Sequence, residues 1–285
     1  MLENCTFCLE KTSLIKSHII PKFVLKWHKE ARQGPIRNTS NINQRIQDYD
    51  KPYLLCKECD NSFSKWENLF CKNLFKPYQD NTFSPYNLNY TDWLLKFSTS
   101  LSWKVLALTK KENNLISFSD LQKKQIDKAL QTWQRFLINQ SSTPAEFEQH
   151  IILLDGIRES SMKPPLFLNR YLLEAIHFDV LLHETAIISY TKFLKFIFIG
   201  IIQIKNKSEW KINKIHIKEG KIDTLKTFNI PEILFNYILE QANEIEKSFD
   251  GLSSDQYDKI NCNINNNFNE YVKSNAFKGM LLDNS

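Results

Sequence analysis

Two C-x-x-C pairs, Cys5-Thr6-Phe7-Cys8 and Cys56-Lys57-Glu58-Cys59, flank a single Ser17-His18-Ile19-Ile20-Pro21 run. A tetrahedral Zn²⁺ site takes four ligands, and two such pairs supply four thiolates at about 2.3 Å from one ion. The two-residue spacer lets both sulfurs of a pair turn toward the same metal. Cys5, Cys8, Cys56 and Cys59 are therefore the expected ligands of one structural Zn²⁺. Disulfides are the poorer reading, because no secretory segment precedes Cys5 and reduced thiols are expected in such a chain. Cys71 and Cys262 read as ordinary thiols.

The chain of 285 residues is long enough for one large or two modest domains with a real core. Its 42% hydrophobic and 24% charged content is that of an ordinary globular protein. With only 6 glycines and no G-x-x-x-x-G-K-[ST] or G-x-G-x-x-G run, neither a P-loop nor a dinucleotide fingerprint is supported. G-x-S-x-G is absent too, so no nucleophile elbow is expected. The longest apolar stretch, 193–204, carries Lys195 and Gln203 and falls short of the ~20 residues of a membrane span. A cytoplasmic protein is expected. Residues 1–80 hold 13 basic against 9 acidic side chains, a mild excess that suits either a phosphate backbone or a plain solvated surface.

The elements that must position the cysteines follow from periodicity. Residues 1–10 read as a short knuckle, 14–24 as an extended piece that Pro21 keeps from becoming one helix, and 24–32 as a short helix. Residues 33–43 read as a loop around Gly34-Pro35, and 45–55 as a pair of short strands turning at 48–51. Phe63, Trp66, Leu69, Phe70 and Leu74 then fall at helical spacing, so the second cysteine pair opens an amphipathic helix over 61–75. Residues 77–85 look like a linker, which divides the chain into a zinc module (1–80) and a second domain (86–285).

In that second part helices are expected over 92–109, over 119–137 behind a Ser119 cap, and over 231–249 with Pro231 in its first turn. A final helix is expected over 253–275, followed by a loose tail. Residues 151–154 read as a strand. Residues 167–188 show helical spacing, 193–204 suits a buried helix or a buried strand equally, and 210–217 alternates like a strand. The expected class is α+β: a small zinc module followed by a mainly helical domain with a small β element.

Knuckle, His18-Ile19-Ile20-Pro21, strands, second knuckle and helix together resemble the HNH endonuclease superfamily in its zinc-bearing treble-clef branch. The resemblance covers residues 1–75. That family carries Asp-His-Ile-Ile/Val-Pro between two C-x-x-C knuckles and a further His or Asn after the second. It implies a treble-clef fold and a metal-dependent nuclease acting on DNA or RNA, with His18 as the general base that activates water. Small proteins of this layout are associated with bacterial or phage defence.

Three departures qualify that implication. Ser17 stands where the family has Asp, Asp60 stands where it has His, and its middle Asn has no counterpart near Asp48, Asp50 and Lys51. Catalytic Mg²⁺ or Mn²⁺ would then rest on Asp60 together with Asp48, Asp50 or Glu67, since hard cations prefer carboxylate oxygens. Each has a plainer role open to it: Asp60 a helix cap, Glu67 a solvated helix face, Asp48 and Asp50 a hairpin turn. Basic residues from Lys16 to Arg45 suit phosphate contact or a solvated surface, and Trp27 and Trp66 suit base stacking or packing. The alternative to a nuclease is a catalytically inactive, zinc-stabilised nucleic-acid- or protein-binding protein. A protein partner or an oligomer would use the second domain.

Overall fold

A helix buried on every side organises the chain. In the helix Asp92–Lys111 every residue from Trp93 to Leu108 is buried, a pattern reserved for helices enclosed by other elements. The computed structural model describes residues 3–32, 36–46, 49, 51–82, 88–156, 165–210, 213–222 and 230–284. Its class is α+β, with strands distributed along the whole chain.

In chain order, β1 (Glu3–Asn4) pairs with β2 (Lys11–Thr12) around the first cysteine pair. β3 (Leu14–Lys16) leads to the His18 segment and α1 (Lys22–Arg32). The hairpin β4 (Ile36–Asn38) and β5 (Asn41–Ile46) follows, in place of the loop expected over 33–43. β6 (Tyr53–Cys56) pairs antiparallel with β3, and α2 (Lys57–Phe70) begins at once. The helix continues through a π-turn over Cys71–Phe75 into α3 (Lys76–Gln79). The strands expected to pair with each other over 45–55 thus pair instead with segments earlier in the chain.

β7 (Leu88–Thr91) precedes α4 (Asp92–Lys111), and α5 (Asp120–Leu137) starts in a full capping box between Ser119 and Gln122. β8 (Gln149–Leu153), α6 (Leu168–Glu174), β9 (Ile176–Leu182), β10 (Ala186–Phe193) and β11 (Phe196–Ile204) come next. β12 (Asn213–Lys214) and β13 (Glu219–Ile222) complete the strands, β13 pairing with β7. The chain ends in α7 (Glu232–Asp250), α8 (Ser254–Asn266), α9 (Phe268–Tyr271) and α10 (Asn275–Asp283).

The principal sheet is antiparallel in the order β12-β8-β11-β10-β9. This five-stranded sheet corrects the expectation of only a small β element in the second domain, whose residues are still more often helical than extended. Residues 167–188, expected as helix, hold only α6 before two strands. The cause is burial of the sheet on both faces. Ile187, Phe193, Phe196, Phe198 and Ile202 face α2, α4 and α5, whereas Ile188, Tyr190, Ile197, Ile199 and Ile201 face α6 and α7. A strand covered on both sides reads as a continuous apolar run without polar alternation. The β10–β11 turn is also silent in sequence. Leu194 takes its left-handed conformation (φ 50°) where Gly or Asn would be usual, and Lys192 Nζ donates to its carbonyl at 2.6 Å.

Hydrophobic contact crosses the sequence boundary at 80–86. Cys5, Phe7, Leu54 and Phe63 share one buried cluster with Trp103, Leu106 and Trp133. Phe70 stacks on Phe97 at 4.2 Å and meets Phe193, Phe196 and Phe198 edge-on. The tail expected to be loose is α10, docked on α6: Asp283 Oδ1 accepts the Asn169 N–H at 2.7 Å and Oδ2 the Arg170 N–H at 3.2 Å. No helix among the described residues is long and apolar enough to cross a membrane.

Candidate metal centre and its surroundings

The ligand atoms of Cys5, Cys8, Cys56 and Cys59 all lie within 4.8 Å of one another. Two folding events bring them there. The β1–β2 pairing closes the first knuckle, and the β3–β6 pairing sets Leu14 opposite Cys56. Cys56 is the N-cap of α2 and Cys59 lies in its first turn, so the second pair sits where the helix dipole favours negative charge. Asp60, expected as a possible cap, lies within the first turn of the helix, past the cap position that Cys56 holds.

Tetrahedral Zn–S bonds of ~2.3 Å imply sulfur separations of about 3.8 Å. Cys8 Sγ and Cys56 Sγ are 4.0 Å apart, and no cysteine of the set is in a disulfide. Cys5 Sγ also accepts the Cys56 N–H at 3.2 Å. Protonation is unevenly disposed within the cluster. Burial raises the Cys59 thiol far above its ordinary value, and the neighbouring sulfurs add to that. Cys56 is raised by burial as well. At Cys5 burial pushes upward, but the N–H groups of Cys8, Cys56 and Phe7 together outweigh it and the thiol is lowered. Of these three thiols Cys5 thus ionises first, and each further ionisation meets its charge. A divalent cation at the centre removes that obstacle. The four cysteines can hold a metal ion.

The His18 segment is fixed from three sides. Ser17 N–H donates to Pro52 carbonyl at 3.1 Å, Ile19 enters the cluster that holds Cys5, Cys56 and Cys59, and Ile20 enters the cluster around Phe70. Pro21 carbonyl accepts the Val24 N–H at 3.0 Å and starts α1. Ser17 is 1% exposed. His18 itself is half-buried.

The other sequence candidates divide. Asp60 is half-buried in the first turn of α2, its backbone carbonyl accepting from Ser64 Oγ at 3.1 Å. Glu67 does not lie on a free solvated face. Its Oε1 is 2.9 Å from Nζ of Lys104, a residue of α4 only 1% exposed. The same ammonium donates to the His18 carbonyl at 3.2 Å and lies 6.0 Å from the Phe63 ring centroid. Asp48 and Asp50 lie outside the described residues. Trp27 meets Phe75 edge-on at 5.9 Å and Trp66 lies 5.7 Å from Phe63, so packing occupies both rings. Lys16, Lys22, Lys26 and Lys29 are exposed.

Two features carry no signal in the sequence. Lys104 sits in the middle of an apolar run, and nothing local marks it as reaching the His18 segment 86 residues away. His28, also between the cysteine pairs, is 2% exposed, with Nε2 3.2 Å from Glu174 Oε2 of α6. That pair lines a cleft of about 1320 Å³ between the β4–β5 hairpin and helices α6, α7 and α8. Of the sequence candidates, Arg37 and Arg45 line the cleft, whereas His18, Asp60, Glu67 and the four cysteines do not.

The chain matches no protein-family model, no curated protein and no solved structure.

Proposed function

We propose that this protein is a divergent HNH-type, metal-dependent nuclease that hydrolyses phosphodiester bonds in DNA or RNA, built on a treble-clef module whose four cysteines hold a structural Zn²⁺. The observation that carries the reading is the four-cysteine cluster with its two pairs joined by β3 and β6, because those strands flank His18-Ile19-Ile20-Pro21. In this reading His18 takes the proton of the attacking water, and Asp60 is the carboxylate available to Mg²⁺ or Mn²⁺. Lysines exposed on α1 and β3 suit the phosphate backbone. A role in bacterial or phage defence is consistent with this layout.

The test is metal-dependent cleavage of plasmid DNA and of a structured RNA across Mg²⁺, Mn²⁺ and other divalent ions. His18→Ala should abolish cleavage while zinc content and melting temperature stay near wild type. Cleavage by that variant at the wild-type rate removes the mechanism.

Two observations favour a second reading, a zinc-stabilised binding protein without catalysis. Ser17 is buried in place of the family's Asp, and Lys104 engages Glu67, so the carboxylates left for a catalytic metal are few. This reading expects salt-sensitive binding to nucleic acid, or binding to a protein partner, with no cleavage under any divalent ion.

A further inference from the structure

We propose that Lys104 is the positioning residue for His18, the device by which the buried helix α4 sets the candidate base against α2. This rests on the reading of His18 as a general base. The geometry is specific. One ammonium reaches from α4 to the His18 carbonyl at 3.2 Å and to Glu67 Oε1 at 2.9 Å. It therefore joins the segment before α1 to the helix that carries Cys59, Asp60 and Glu67.

Fold stability alone does not require a charge there. A buried ion pair gains little over apolar side chains of equal volume, because desolvation offsets the attraction. Lys104 is itself 1% exposed with Nζ 6.0 Å from the Phe63 ring centroid, a site whose volume also suits the unbranched side chain of methionine. What the ammonium adds is direction. It has three donors, and two of them are spent on a backbone carbonyl of the candidate catalytic segment and on a carboxylate of the helix across from it. A displacement of about 1 Å at a reacting group can cost on the order of 100-fold in rate. Lys104 thus acts through His18 and touches neither substrate nor metal. Glu67 belongs to the same tie, as the anion that keeps the ammonium in place.

The experiment compares wild type with Lys104→Met/Glu67→Met, a double replacement that leaves no unpaired charge behind. Plasmid cleavage is measured in Mg²⁺ and in Mn²⁺, with the His18 Cε1–H resonance in a ¹H–¹³C spectrum as an activity-independent readout. The expected result is an unchanged zinc content and melting temperature, KM for DNA within about twofold, a shifted His18 resonance, and kcat lower by about 100-fold. A folded, zinc-replete double variant with wild-type kcat, or an unmoved His18 resonance, overturns the proposal. If the wild type cleaves nothing, the nuclease reading fails, and the resonance still decides whether Lys104 positions His18.

Single variants guard against a double variant that does not fold. Lys104→Gln keeps N–H donors and should retain more kcat than Lys104→Met; equal losses overturn the proposal. If Glu67 were instead a metal ligand, freeing it in Lys104→Met would lower the Mg²⁺ concentration needed for half-maximal cleavage. A lowered requirement therefore also overturns it.

Discussion

Phe7 sets its ring edge-on against Trp103, with centroids 4.8 Å apart and planes at 90°. One residue stands between two cysteines of the candidate metal centre and the other on the buried helix, so the knuckle and the main core share a wall. Phe63 of α2 closes the corner at 4.9 Å from Phe7. A metal holding Cys5 and Cys8 to Cys56 and Cys59 therefore holds Phe7 against Trp103 as well.

The consequence for metal removal differs from what two independent domains would give. Structural zinc in small modules contributes on the order of 10 kcal/mol of apparent binding energy. Here its loss should be felt across the shared core. Cys56→Ser, or treatment with a strong chelator, should lower zinc content and depress the melting temperature of the whole chain in one calorimetric transition. The near-UV circular dichroism of the aromatic cluster should fall at the same temperature. Two separated transitions, of which only the first responds to chelator, would show that residues 1–80 unfold alone.

Phe70 offers a test of the core without touching the metal. Its ring is fully buried, stacked on Phe97 of α4 and edge-on to three phenylalanines of β10 and β11. Phe70→Ala should cost about 3–5 kcal/mol, since truncating a large buried ring loses its transfer energy and leaves a cavity. The urea midpoint should drop accordingly with the slope unchanged. A loss below about 1 kcal/mol would mean that this junction of α2, α4 and the sheet is not packed as described.

Legibility in the sequence follows burial. α4, α5 and α7 are readable from their apolar spacing, joined at α5 by the Ser119 cap and at α7 by Pro231, which stands at the N-cap, one position before the first turn expected for it. The cysteine cluster is readable because a C-x-x-C turn is local, and two such turns in one reduced chain suit a shared metal better than four unrelated thiols. β10 and β11 are not, since both of their faces are covered and Leu194 makes their turn without the glycine that would announce it. Lys104 and Glu67 are illegible as a pair for another reason: each looks ordinary in its own helix, and their meeting is set by how α2 crosses α4. Asp60 reads as a helix start in the sequence, but in the fold Cys56 holds the cap position.

The docking of α10 gives a glycine substitution whose sign is informative. Gly→Ala inside a helix is ordinarily stabilising by about 0.5–1 kcal/mol. At Gly279 a Cβ would lie 3.1 Å from both the Cα and the N of Arg170, backbone atoms of α6 that cannot swing aside. Gly279→Ala should therefore destabilise, lifting α10 and loosening the Asp283 carboxylate from the N–H groups of Asn169 and Arg170. Hydrogen exchange read by mass spectrometry should show faster exchange over 275–283 and at the start of α6. A stabilised variant with unchanged exchange would contradict the close approach.

Lys96 supplies the pH test. It is 7% exposed on α4, donates to the Phe136 carbonyl and, at 3.0 Å, to Asn139 Oδ1, and lies over the Phe136 ring. Burial lowers its pKa to about 8, with Asp92 opposing the shift. In the unfolded chain a lysine titrates at about 10.4. Between those values the unfolded chain binds more protons than the folded one, so this residue makes stability rise with pH. Its penalty is complete below about pH 8 and is relieved as pH approaches 10.4. Lys192 and Lys195 are also depressed by burial and contribute the same slope, so only a difference between variants isolates Lys96. The stability of Lys96→Met relative to wild type should be highest near pH 7 and decline steadily from pH 8 to pH 10, followed by urea unfolding at each pH. A difference that stays flat across that range would show that Lys96 titrates alike in the folded and unfolded chains.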